Sequence, residues 1–378
     1  MNSHHRAADV APLAIIEYCM PPTRIALIGC GKVAQIHVAA LRAVPEADLV
    51  AVCDALPDRA AAFAAKHGVR PFTDVATMLR EAKVDTVIIG TPHPVHSAPA
   101  IQAAAAGVHV LVEKPLAANL VDCDAMIAAA KKSGVTLGVI SQRRFCPAVR
   151  RMKEAIDAGK LGMPALGVFI GYNWRDAAYY QSDPWRGKWD AEGGGVLVNQ
   201  SPHQLDILLW LMGPAAEVAG YWANVNHPTV EVDDTAVAAI RFRNGGLGSI
   251  ATSVSQKPGI FTKVHIHGSN GASVGVETDR GATFVAGVSG VATPPLNDLW
   301  TIPGEEGRLA EFQAEDASRF ARVDGTSYYH ALQFADFVRA IREGRPPLAT
   351  AEDGRAVVEL FAAIYQSSRD GKATRLGK

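Results

Sequence analysis

The chain has 378 residues, with 37 Lys plus Arg against 38 Asp plus Glu and a formal net charge of −1. Hydrophobic residues make up 48%, charged residues 20%, and there are 34 glycines and 22 prolines, which excludes disordered, collagen-like and coiled-coil chains. A neutral balance without a basic stripe argues against a nucleic-acid partner and for a small-molecule one, and at roughly 150 residues per domain the length predicts two or three domains.

Residues 1–22, MNSHHRAADVAPLAIIEYCMPP, read as a disordered tail or an upstream-start extension: the apolar patch is short, is broken by Glu17, and makes a poor signal peptide. No run approaches the ~18 apolar residues of a membrane helix, so no membrane partner is expected. The five cysteines (Cys19, Cys30, Cys53, Cys123, Cys146) are odd in number and scattered, without a zinc pattern. They fit a reducing cytoplasm and imply no metal.

Over residues 23–142, short runs such as RIALI, DLVAVC, TVIIG, HVLVE and TLGVI alternate with Ala-rich helical stretches. That alternation predicts an α/β domain with a doubly wound parallel sheet. Over residues 143–378 a helix near Pro147 to Ala158 precedes period-2 runs (DTAVAAIRF, GLGSIATSVS, FTKVHIHGS, ASVGVET). Turns at Asn244-Gly245, Asn270-Gly271 and Asp279-Arg280-Gly281 separate these runs, and two helices follow, Tyr328 to Arg342 and Glu352 to Arg369. This predicts an α+β domain with an open, mostly antiparallel sheet.

GCGKVA follows the first strand, so Gly29, Cys30, Gly31, Lys32, Val33 and Ala34 form a G-x-G-x-x-A turn into a helix. Gly29 permits the turn, Gly31 admits a pyrophosphate, Ala34 allows close packing, and the helix N-terminus supplies N–H groups. Asp54 ends the next strand, about 20 residues on, where a carboxylate accepts from the adenosine ribose and repels a 2′-phosphate. Ala55 and Leu56 offer no compensating cation and Arg59 reads as a solvated charge, so NAD is the expected cofactor.

Two further strand ends carry polar residues at the carboxyl edge: Thr91, Pro92, His93 and His96 in GTPHPVH, and Glu113 and Lys114 in EKP. A strand-end lysine beside a nicotinamide can hold a substrate hydroxyl, although Lys114 by itself also reads as a surface turn residue. His93 and His96 lack a third ligand of metal-binding spacing, which leaves loop histidines or nucleotide contacts.

Downstream, in QSPHQLD, Ser201 reads as an N-cap, Pro202 as the first helical residue and Gln204 as closing a capping box. His203 then sits in the first turn, where the helix dipole keeps imidazole neutral and fit to accept a proton; a histidine merely bonded to the turn is the alternative. Asp206, on the same helix face, is a candidate to orient its ring. The glycines Gly193 to Gly195 read as room for a ligand or as a flexible loop. Tyr172, Trp174, Tyr179, Tyr180, Trp185 and Trp189 put six aromatics into 18 positions beside Arg175 and Arg186. Such a segment suits saccharide stacking or a subunit interface.

GCGKVAQIH, Asp54, TPHPVH, EKP and GGGVLVNQSPHQLDILLWLMG, in this order, resemble the glucose-fructose oxidoreductase/inositol dehydrogenase/rhizopine-catabolism (Gfo/Idh/MocA) family from about Thr23 to the C-terminus. The resemblance implies an N-terminal Rossmann domain, a C-terminal sheet used for homodimer or homotetramer contacts, and hydride transfer between NAD and a CH–OH group of a sugar or cyclitol. Lys114 and His203 match the family's catalytic pair. Many members have Asp where this chain has Asn199, which hydrogen-bonds but cannot take up a proton. Asn199 is therefore expected to position substrate, with Tyr172, Trp174, Arg175, Trp185 and Arg186 as further substrate contacts. The family's Asn after Thr-Pro is His93 here, which puts that contact in doubt. Alternatives are an NAD-retaining glycoside hydrolase that uses transient oxidation and a non-catalytic sensor of NAD or sugar.

Overall fold

Runs of Ile, Val and Leu bounded by turn residues form six strands: β1 (Thr23–Ile28), β2 (Ala47–Cys53), β3 (Arg70–Phe72), β4 (Thr86–Ile89), β5 (His109–Val112) and β6 (Leu137–Val139). The computed structural model describes residues 20–259, 261–278, 283–285, 288–290 and 293–377. The tail expected over Met1–Cys19 and the turn expected at Asp279–Gly281 lie outside the described residues. The six strands are parallel, in the order β3-β2-β1-β4-β5-β6. All four residues of β4 are buried, as a strand covered by helices on both faces requires. The covering helices are α1 (Lys32–Arg42), α2 (Pro57–His67), α3 (Val75–Ala82), α4 (Ser97–Ala105) and α5 (Leu120–Ser133). Strand order reverses between β1 and β4, which opens a crevice at their carboxyl ends.

After α6 (Pro147–Asp157), β7 (Pro164–Tyr172) begins a second sheet with β8 (Ala215–Ala223), β9 (Thr235–Phe242), β10 (Leu247–Ser253), β11 (Phe261–Gly268) and β12 (Ser273–Thr278). β13 (Thr283–Val285) and β14 (Val288–Gly290) form a separate hairpin, while β15 (Leu296–Trp300) and β16 (Thr374–Arg375) close the sheet's two edges. The order is β15-β12-β11-β7-β10-β9-β8-β16, antiparallel throughout except for β7 beside β10. Burial alternates residue by residue along β9, so one face is covered and the other open.

Three short elements without a periodic signature went unread in the sequence: α7 (Ala177–Gln181), α8 (Trp189–Glu192) and a π-helical turn, Val196–Gln200. The turn leads into α9 (Pro202–Met212), and α10 (Arg308–Phe320), α11 (Tyr328–Glu343) and α12 (Ala351–Asp370) follow. α9 and α12 cover the inner face of the second sheet, whereas α11 returns to the first. Phe334, Phe337 and Val338 of α11 pack with Ile25, Leu27 and Val38, so the chain's last helices complete its first core.

Candidate active site

The crevice between β1 and β4 widens into a cleft of about 830 Å³ that runs from Gly29 and Asp54 to His203. At its nucleotide end Gly29 has φ 96°, and a Cβ there would lie 2.8 Å from the Thr91 nitrogen. Only glycine makes that turn at that distance. A Cβ at Gly31 would meet nothing within 4 Å, and no side chain caps the N-terminus of α1. Open backbone and an uncapped helix end are what a pyrophosphate requires. Asp54, buried, accepts from the Cys30 and Leu56 amides, each at 2.9 Å. Arg59 departs from expectation: its guanidinium is 3.6 Å from Asp54 and lines the cleft, although 51% of the side chain is exposed. These residues fit NAD. Gly29, Gly31, Lys32 and Val33 line the cleft, whereas Cys30 and Ala34 lie behind it in the core.

Lys114 stands at the middle of the cleft and donates from Nζ to the Asn199 carbonyl at 3.1 Å. Burial lowers its pKa; Glu113 opposes this, and Arg143, Arg186 and Arg175 reinforce it. Burial acts to raise Glu113, but a 2.9 Å hydrogen bond from His37 and that ring's charge outweigh it and hold the carboxyl near 2. His330 completes a buried His37–Glu113–His330 cluster behind the lysine. Thr91, Pro92, His93 and His96 line the cleft as well. The His96 ring lies between the Thr91 carbonyl, 2.9 Å from Nε2, and the Pro115 carbonyl, 3.1 Å from Nδ1, and so joins the two strand-end loops. His93 hydrogen-bonds from Nε2 to the Glu192 carbonyl, and burial brings its pKa down to about 3.

Asn199 and His203 reach the same cleft from the π-helical turn and the first turn of α9. Burial first, then Lys114, Arg143 and His330, keep His203 well below its ordinary pKa, and its Nδ1 is buried with no hydrogen-bond partner among the described residues. The ring is therefore neutral and able to take a proton. Pro202 begins the helix as expected, but there is no capping box: Ser201 makes no cap bond and its hydroxyl meets Thr252 instead. Asp206 does not orient His203. It is committed to Arg144, through bonds of 2.6 and 2.8 Å, because a buried guanidinium needs a carboxylate more than a neutral ring does.

Two acids that carried no signal in the sequence build this end of the site. Glu192, 1% exposed, accepts from the Gly187 amide at 2.5 Å and from the Asn199 side-chain amide. Asp233 accepts from the Gly195 and Leu197 amides at 2.6 and 3.1 Å and from Tyr365 Oη at 2.6 Å. Asp233 is distant in sequence from its partners, and Glu192, although near its own, looks like an ordinary loop charge. The aromatic segment divides by function: Tyr179 and Trp185 line the cleft with Arg175 and Arg186. Tyr172 packs on Phe261, Trp174 on His227, Tyr180 on His227, and Trp189 on Trp222 and Tyr365, all away from the lining.

A glycine turn that opens onto a helix N-terminus, at the switch point of a 3-2-1-4-5-6 sheet, defines a dinucleotide-binding fold. Residues 23–141 match the oxidoreductase family with an NAD-binding Rossmann fold, and residues 149–274 match the GFO/IDH/MocA C-terminal domain. The chain is 29% identical to the myo-inositol 2-dehydrogenase of Thermotoga maritima, with 93% of this chain and 98% of that one covered. It is likewise 29% identical to the NAD(+)-dependent scyllo-inositol 2-dehydrogenase of Bacillus subtilis, with coverage of 93% and 96%. The WlbA dehydrogenase of Bordetella pertussis, solved with NADH and UDP-GlcNAcA, superposes with a TM-score of 0.84 at 30% identity, covering 95% of this chain and 99% of that one. The chain belongs to the Gfo/Idh/MocA oxidoreductase family.

Proposed function

We propose that the chain is an NAD-dependent dehydrogenase or reductase acting on a secondary alcohol or ketone of a sugar, sugar derivative or cyclitol. The observation that carries this reading is the convergence of Lys114, Asn199 and His203 on one cleft that begins at the glycine turn. NAD, when bound, supplies the hydride acceptor. Lys114, half-buried in the cleft, polarises the reacting oxygen and stabilises charge that develops there. Neutral His203 takes the hydroxyl proton, and Asn199, fixed by Glu192, positions the hydroxyl. The inositol dehydrogenases and the sugar-nucleotide dehydrogenase among its relatives support a polyhydroxylated substrate.

The test is nicotinamide absorbance with NAD or NADP across free sugars, glycosides and inositols, with Lys114→Ala in parallel. NADH formation that drops by about 10²-fold or more in the variant supports the reading. Unchanged turnover overturns the role of Lys114. Glycoside cleavage without net NADH would favour the hydrolase alternative instead.

We also propose that subunits meet on the open face of the second sheet, where Tyr221, Val237, Leu247 and Leu166 are exposed. A cytoplasmic location is proposed as well. Among the described residues no helix is long and apolar enough to cross a membrane, and the four described cysteines are free and buried. Cell fractionation tests this, and recovery in an oxidising compartment would overturn it.

A further inference from the structure

Glu113 follows β5 and is 8% exposed, so its carboxylate must find partners inside the protein. Oε1 is 2.9 Å from His37 Nε2, and Oε2 accepts the backbone N–H of Lys114 at 3.0 Å. Because the carboxyl is held near 2 and is therefore ionised, the imidazole is the donor in the first of these bonds. Lys114 is thus tied at two points, its backbone amide to Glu113 and its ammonium to the Asn199 carbonyl at 3.1 Å.

The far side of the link is built as closely. His37, 1% exposed, lies on α1, the helix that opens at the glycine turn. Gly90, just past β4, leaves room for its ring: a Cβ there would lie 3.3 Å from His37 Cε1. Phe334 meets the ring edge-on, with centroids 5.6 Å apart. His330 adjoins it from α11, with Nδ1 3.1 Å from the Thr326 carbonyl. Burial first, then His37, brings His330 down to about 4, so that ring is neutral and does not cancel the carboxylate. On the cleft side, Arg143 from the turn after β6, and Arg175 and Arg186 from the segment after β7, press on the lysine with like charge. His93 and His203 face it as well, but burial keeps both rings neutral. An ammonium in such company keeps its proton more readily when a carboxylate stands close.

We infer that Glu113 is a positioning residue for Lys114: held by His37, its carboxylate fixes the backbone that aims the lysine into the cleft and supplies the negative charge that keeps the ammonium protonated. One helix, α1, then carries both the glycine turn's N-terminus and the anchor of the lysine. The inference rests on the oxidoreductase reading, in which Lys114 must be a cation to polarise the reacting oxygen.

The experiment reads Lys114 directly, in the whole chain without substrate. Acetic anhydride at trace level modifies only the amine form, and peptide mass spectrometry gives the labelling rate of Lys114 across pH, with the exposed Lys131 as internal reference. Glu113→Gln keeps the shape and removes the charge. Lys114 should then be labelled about tenfold faster at a pH below its midpoint, with the profile displaced to lower pH and Lys131 unchanged. Glu113→Asp, which keeps the charge, should stay near wild type. Should Glu113→Gln fail to fold, His37→Leu and His37→Gln carry the comparison: loss of the donor should speed labelling, and a replacement donor should restore it. With a substrate that turns over, the alkaline limb of kcat/KM should move down in the same order while NADH affinity, read by fluorescence titration, is retained. An unchanged Lys114 profile in folded Glu113→Gln, or in both His37 variants, overturns the inference. Lys114-dependent NADH formation by wild type would then leave the oxidoreductase reading standing. A displaced profile without turnover of any sugar or cyclitol would keep the Glu113–Lys114 pairing and remove the reading.

Discussion

Glu192 is a residue whose chemistry is strongly changed by its surroundings. Burial pushes its carboxyl up to about 7; the Gly187 amide, the Asn199 amide and Arg186 pull the other way, and Asp233 adds to the rise. A folded pKa above the unfolded one means that stability is fully present below about pH 4.5 and is lost as pH rises through about 7. Between pH 5 and 8 the loss amounts to roughly 2–3 kcal/mol. Glu192→Gln cannot ionise, so the stability difference between wild type and variant should move by that amount across the range, at the wild type's expense as pH rises. Urea denaturation at several pH values measures it; a difference that stays constant would show that Glu192 is already ionised throughout. The family resemblance implied that Asn199 stands where many members have a proton carrier, but not that a carboxylate seven positions earlier would bond it. That pairing depends on how α8 and the π-helical turn fold back on each other, and no periodic pattern encodes it.

At the scale of elements, the glycines before α9 are less a flexible loop than a tightly seated turn. The Gly195 amide donates to Asp233 Oδ1 and the Val196 amide to the Asp233 carbonyl at 2.9 Å; a Cβ on Gly195 would fall 1.9 Å from that carbonyl oxygen. Gly195→Ala must therefore displace the turn that carries Asn199 and the backbone carbonyl that holds Lys114. Displacement of about an ångström costs on the order of 10²-fold in rate. The expected result is a kcat reduced by that factor with NADH binding retained at the distant glycine turn, read by steady-state kinetics and fluorescence titration. Wild-type kcat in the variant would refute the argument. The strand-turn-helix around Gly29 was legible because its glycines have fixed spacing and the ligand contacts backbone. The support of His203 was not, because Asp206 and Asp233 each had several chemically reasonable partners and only tertiary packing chose among them: Arg144 for one, two turn amides and Tyr365 for the other.

Among the described residues, a large surface of the second sheet is left uncovered. Cross-strand pairing puts Tyr221 opposite Val237, Val237 opposite Ala251, and Leu247 opposite Leu166, so these side chains share the outer face of the second sheet. Tyr221 is 68% exposed. Toward β15 the face becomes polar, where Lys263 meets Glu277 and Asp298 at 3.1 and 2.8 Å. An apolar patch bordered by ion pairs is the composition of an interface, and antiparallel strands tolerate one solvated face only if it is polar or is covered. The period-2 runs made the sheet legible in the sequence, whereas its use for subunit contacts was implied only by the family resemblance. Val237→Asp places a charge at the middle of the patch without touching the cleft. Light scattering should find wild type as a dimer or tetramer and the variant shifted toward monomer, with the shift growing on dilution. Each desolvated, unpaired carboxylate costs several kcal/mol in an interface, and two-fold symmetry would install it twice. A wild-type chain that remains monomeric at micromolar concentration would mean that this face serves another purpose.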